Sequence, residues 1–233
     1  MQALSSLWDR ISLNLIDSQR YLYLLDGLKV TLIVAFFAVL LGIAIGLLVA
    51  VVKVASAGNP RWRPLEVLAN IYVTVIRGTP VMVQLLIIYF VVFASVDISK
   101  TVVAIVAFGV NSGAYVSEVI RAGILAVDKG QEEAGRSLGL TAAQTYRFII
   151  LPQALKNILP ALGNEFIALL KETAVVGYIG LQDLTMGGDI IRSRTYDAFV
   201  PLLTVALIYL LIVMLLSQGL KRLERRLRRS DQH

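Results

Sequence analysis

The 233-residue sequence contains no cysteine. Disulfide frameworks, thiol nucleophiles and cysteine metal sites are therefore excluded. Histidine occurs once, as His233, the last residue. A chain end frays, so histidine triads and His-rich metal centres are excluded as well. Charged residues make up only 16% of the chain, and the hydrophobic fraction is 57%. Soluble domains carry about a quarter charged residues, so neither an ordinary soluble enzyme nor a disordered chain fits. The formal net charge is +6. In so apolar a chain, of mean hydropathy +0.75, this points to basic loops facing anionic lipid and not to nucleic acid.

What the sequence does have is long apolar runs. Residues 28–52, 65–93, 102–127 and 199–220 are each long enough to cross a bilayer, which takes about 20 residues at 1.5 Å rise. A more polar run, 152–178, carries Asn157, Asn164, Glu165, Lys171 and Glu172. A polar membrane helix faces a protein interior or a cavity. Counting it gives an all-α membrane protein with a five-transmembrane-helix core. Basic residues set the orientation. Lys53, Arg61 and Arg63 follow the first span, and Lys129, Arg136 and Arg147 follow the third. The tail 221–233 opens with a dense basic cluster. The expectation is an outer amino terminus and a cytoplasmic carboxy terminus. Residues 1–26 lack the pattern of a signal peptide, and 7–25 mix apolar and charged positions as an interfacial helix does. The whole chain, 1–233, reads as a single transmembrane domain. Gly42 and Gly46, four apart, permit close helix packing.

The inner loop 128–151 has its own grammar. Glu132 and Glu133 suit a helix N-terminus, and Gly139 suits a left-handed stop. Thr141 with Gln144 forms a capping box, and Pro152 fits the first turn of the next helix. Two short helices with a sharp bend at Gly139 are expected. Ala134 and Gly135 are small enough to admit another surface.

Polar residues also punctuate the spans. Arg77-Gly78-Thr79-Pro80 interrupts the second run, where proline removes a donor and glycine loosens the backbone. On a straight helix Arg77 lies roughly 18 Å deep, near the midplane. It either meets a ligand or pins the break through carbonyl bonds. Asn164 and Glu165 lie roughly 20 Å from the inner end of their run. Asn111 and Ser112 sit in the third run, and Lys171 and Glu172 lie nearer the outside. Such a set offers an anion site and a cation site around one cavity, which is what an α-amino acid needs. Lys171 and Glu172 are also able to pair with each other.

The loop residues Glu133-Ala134-Gly135, Gly139 and Ile149-x-Leu151-Pro152 resemble the EAA loop of ATP-binding cassette (ABC) importer permeases. Gly135 stands where that family usually has alanine. The resemblance continues through Arg77-Gly-Thr-Pro, Asn111-Ser112-Gly113-Ala114-Tyr115, Gly163-Asn164-Glu165-Phe166-Ile167 and Lys171-Glu172-Thr173, toward the polar amino-acid branch. It implies a coupling helix that seats in an ATPase subunit through Glu132, Glu133, Ala134, Gly135, Gly139 and Leu140. It implies substrate contacts at Arg77, Thr79, Asn111, Ser112, Asn164, Glu165, Lys171 and Glu172. A glutamate at position 165 is similar to members that handle basic amino acids. The implied partners are a second permease subunit, the same or homologous, two ATPases and an extracytoplasmic amino-acid-binding protein, in a bacterial cytoplasmic membrane. The sequence has no Gly-x-x-x-x-Gly-Lys-[Ser/Thr] phosphate loop, so ATP and magnesium belong to the ATPase partners and this chain needs no cofactor. An autonomous secondary carrier is the competing class, but it would not need the coupling loop. An intramembrane enzyme lacks a nucleophile–base pair here.

Overall fold

The computed structural model describes residues 2–229, and His233 and the end of the basic tail lie outside that range. The chain is helical almost throughout. α1 (Gln2–Ile11) is followed by a wider turn and a break at Ser18 and Gln19, both at φ +53°. Left-handed positions cannot continue a right-handed helix. α2 (Tyr21–Gly58) therefore starts well before the expected span and absorbs residues assigned to the interfacial segment. α3 (Arg63–Gly78) and α4 (Val81–Ile87) follow, then α5 (Lys100–Leu125). The loop helices are α6 (Lys129–Ser137) and α7 (Ala142–Thr145). α8 (Leu151–Glu172), α9 (Leu184–Thr195) and α10 (Phe199–Arg229) complete the chain.

Three helices among the described residues, α2, α5 and α10, are long and apolar enough to cross a membrane. α3 and α4 qualify only as a bent pair, turned by 109° at Gly78–Pro80. The second run is thus not a straight crossing, and a depth for Arg77 counted along a straight axis does not apply. α8 is too polar to qualify alone, carrying Lys156, Glu165, Lys171 and Glu172. Lys221 to Arg229 continue α10 without a break.

The core sits where α2 meets α5. A methyl group on Gly42 would lie 2.7 Å from the Cβ of Ser112, and one on Gly46 would lie 2.5 Å from Val116. The partners reciprocate: Gly109 faces Leu41 and Gly113 faces Ile45. Without Cβ atoms at these points the two helices approach closely enough to exclude lipid. Val34, Ala38, Leu85, Phe108 and Leu169 fill the adjoining core. Phe36, Phe37 and Leu48, on the outer face of α2, stay exposed, as lipid-facing residues would.

The stretch between α8 and α10 is firmly built. Asp183 caps α9 by accepting from the Thr185 and Met186 amides at 3.1 and 2.9 Å. Leu184 N donates to Thr31 Oγ1 of α2 at 3.1 Å. Burial pushes the Asp183 carboxyl above its usual range, against the pull of those amides. At the α9–α10 turn, Arg10 of α1 pairs with Asp197 at 2.6 Å, and Asn14 donates to the same carboxylate at 2.9 Å. The Arg10 hydrogen bond holds the Asp197 carboxyl down at about 2.

Candidate functional site

Two constellations stand out, one at the helix break and one at the loop. The break exists because Pro80 has no amide proton, so the last carbonyls of α3 lose their helical donors. Gln84, on the first turns of α4, supplies them. Its Nε2 donates to Ile76 O at 2.7 Å, Thr79 O at 3.0 Å and Thr79 Oγ1 at 2.8 Å. Its Oε1 accepts from Asn111 Nδ2 of α5 at 2.9 Å. Thr79 Oγ1 donates onward to Val75 O at 2.8 Å. Sequence reasoning missed Gln84. The signal was a lone amide in an apolar run four residues after a proline.

α5 then connects the break to α8. The Arg77 guanidinium lies 5.3 Å from the centre of the Tyr115 ring. One turn earlier, Ser112 Oγ donates to Glu165 Oε1 at 3.2 Å. Residues 112 and 115 are about 4.5 Å apart along the axis, so the two opposite charges meet one stretch of α5. Arg77 is exposed and Glu165 half-buried. Tyr72 anchors α3 to the same stretch of α5, donating to Val110 O at 2.6 Å.

The other expected residues are placed differently. Asn111 is buried and its amide is spent on Gln84. Asn164, Lys171 and Glu172 are exposed, and no ion pair joins Lys171 to Glu172 among the described residues.

The loop folds as its residues dictate. Asp128 caps α6 through the Gly130 amide at 2.7 Å. Gly139 takes φ +80°, and the Thr141–Gln144 capping box is complete in both directions. Gly135 is buried against Thr145 and Ile149, so the closeness it permits is spent within the loop. Glu133, Ala134 and Leu138 remain exposed, Leu138 at 80%, and Glu132 and Leu140 are half-buried. Leu138 was not singled out from the sequence. It stands beside the helix stop at Gly139.

Apolar helices of spanning length, a broken helix and opposite charges beside one of them are features that suit a membrane transport subunit. The chain belongs to the family of binding-protein-dependent transport system inner membrane components, the permease subunits of ABC transporters, whose family model matches residues 42–229. It is similar to a Rickettsia typhi protein named as a glutamine transport system permease, GlnP, at 42% identity over 89% of this chain and 94% of that one. The arginine transport system permease protein ArtQ of Bacillus subtilis is 39% identical over 90% of this chain and 94% of its own. A crystal structure of an amino acid ABC transporter with histidines superposes with a TM-score of 0.82 at 46% identity, covering 91% of this chain and 97% of that one.

Proposed function

We propose that this chain is the permease subunit of an ATP-driven importer of polar amino acids, with basic ones the favoured class. Two permease subunits, alike or homologous, form the path. Two ATPases supply the work, and an extracytoplasmic binding protein delivers the substrate. In this reading α2, the bent α3–α4 pair, α5, α8 and α10 make five spans. The amino terminus lies outside and the α6–α7 loop inside. α8 crosses in spite of its charges because they face the path and not lipid.

The observation that carries the reading is the pair of opposite charges beside one stretch of α5, Arg77 against Tyr115 and Glu165 against Ser112. Glu165 receives the positive end of the substrate. Arg77 receives its carboxylate, helped by Thr79 at the open end of α3, and Ser112 orients Glu165. Asn111 acts at one remove by fixing Gln84. Asn164, Lys171 and Glu172 face the substrate farther along α8. The names of the relatives, glutamine and arginine permeases among them, support the substrate class. Nucleotide binding shifts the population between inward-open and outward-open states, to the extent that it favours one of them. The coupling surface is Glu132, Glu133, Ala134 and Leu140, with Leu138 added, and Gly135 and Gly139 hold its shape.

The test is uptake by the assembled complex with Glu165→Gln, at equal expression. The variant keeps size and hydrogen bonding and removes the charge. Arginine or lysine uptake should fall much further than glutamine uptake. Equal losses would make Glu165 a gating or structural residue and remove the basis for the basic class.

A further inference from the structure

A second charged cavity lies away from the helix break, at the end of the molecule that carries the loop. Its volume is about 500 Å³, within the range of about 300–1,000 Å³ usual for small-molecule sites. Lys53 comes from the end of α2, Glu66 and Asn70 from the start of α3, and Glu118 and Arg121 from the end of α5. Tyr146, on the wide turn that follows α7, closes one side.

The charges in this cavity are not equally engaged. Glu118 accepts from Lys53 Nζ at 2.7 Å on one oxygen. On the other it accepts from Arg121 Nε at 3.1 Å and Nη2 at 2.9 Å. One carboxylate thus serves two cations, and the three together keep one positive charge in excess. Arg121 Nη1 and the remaining protons of Lys53 Nζ stay available as donors. On the opposite wall, half-buried Glu66 has no hydrogen-bond or ion-pair partner among the described residues. Asn70 sits one turn along the same face of α3. Glu66 offers a free carboxylate, and the Lys53–Arg121 pair offers free donors. The cavity is neutral overall, so it suits a small molecule bearing both charges better than a simple anion.

We propose that this cavity is an accessory α-amino-acid site on the release side of the permease. Lys53 and Arg121 take the carboxylate, and Glu66 and Asn70 take the ammonium. The proposal rests on the reading of the chain as an amino-acid permease, and it adds a second stop on the path. Because Tyr146 belongs to the loop segment, an occupant touches the core helices and the loop together.

The test uses the assembled permease–ATPase complex in phosphatidylcholine nanodiscs, without binding protein. Equilibrium binding of radiolabelled L-arginine and L-glutamine is measured. Two classes of site per chain are expected. Glu165→Gln should weaken one. Glu66→Gln and Asn70→Leu should each weaken the other by about tenfold or more, the loss of one partly desolvated contact. Asn70 is exposed, so its variant keeps the test open should Glu66→Gln fail to fold. A single class of site, lost in Glu165→Gln and unchanged in both α3 variants, overturns the accessory site and leaves the permease reading standing. Loss only in the α3 variants, with Glu165→Gln silent, supports the accessory site and sinks the charge-pair site. Phosphatidylglycerol that stays with the unaltered complex through exchange into phosphatidylcholine nanodiscs, with no amino-acid binding at the cavity, assigns it to a lipid headgroup and overturns the proposal.

Discussion

Gln84 is the side chain on which the helix break depends. A proline alone would leave open carbonyls in a setting where water is scarce, and each such group costs several kcal/mol. Three donor contacts from one amide close that account, and Asn111 holds the amide in place. Replacing it with leucine keeps the bulk and strands Ile76 O and Thr79 O. Gln84→Leu should therefore destabilise the permease by about 2 kcal/mol or more. Thermal unfolding of the detergent-solubilised complex is the measurement, and an unchanged midpoint would mean that those carbonyls find other donors. The sequence displayed the break through Pro80 and Gly78. It did not display its repair, because a lone amide four residues after a proline marks a candidate but not its contacts; its partner Asn111 is 27 positions away. Tyr115 was hidden for the same reason. Arg77 announces itself as a charge in an apolar run, but only the fold brings the ring to it.

At the level of elements, the loop was legible almost residue by residue. Caps and left-handed stops are local physics: Thr141 satisfies an amide three residues on, and Gly139 needs nothing but its own φ, although the Asp128 cap was not read. The bend between α3 and α4 was legible as a break but not as an angle of 109°, which tertiary packing sets. The break at Ser18 and Gln19, before α2, was not legible at all, because no glycine or proline announces it. Because Gly139 has open space around it, valine there meets no neighbour and acts only through backbone strain. Gly139→Val should leave the chain inserted and dimeric yet misalign α6 against α7. Loss of the ATPase on co-purification, or ATP hydrolysis that substrate no longer stimulates, is the expected outcome. Full substrate-stimulated hydrolysis in this variant and in Glu133→Lys would remove the loop from the ATPase contact.

For the whole molecule, the arrangement of basic residues implies one orientation. Arg61, Arg63, Lys129, Arg147 and the basic run from Lys221 lie in the segments that the proposed topology puts inside, and Arg10 and Asp197 lie in those it puts outside. A cysteine introduced as Ser230→Cys, beyond the described residues, should resist an impermeant maleimide in intact cells and react after permeabilisation. Labelling from outside would invert the topology and place the loop beyond reach of any ATPase. The tight seam between α2 and α5 bears on motion at this scale. Gly42, Gly46, Gly109 and Gly113 leave no clearance for one helix to slide past the other. The pair must travel as a single stiff beam, tied near the loop end by Lys53 and Glu118. In the proposed alternating cycle that leaves the give to the bend at Gly78–Pro80 and to whatever surface the beam meets in its partner.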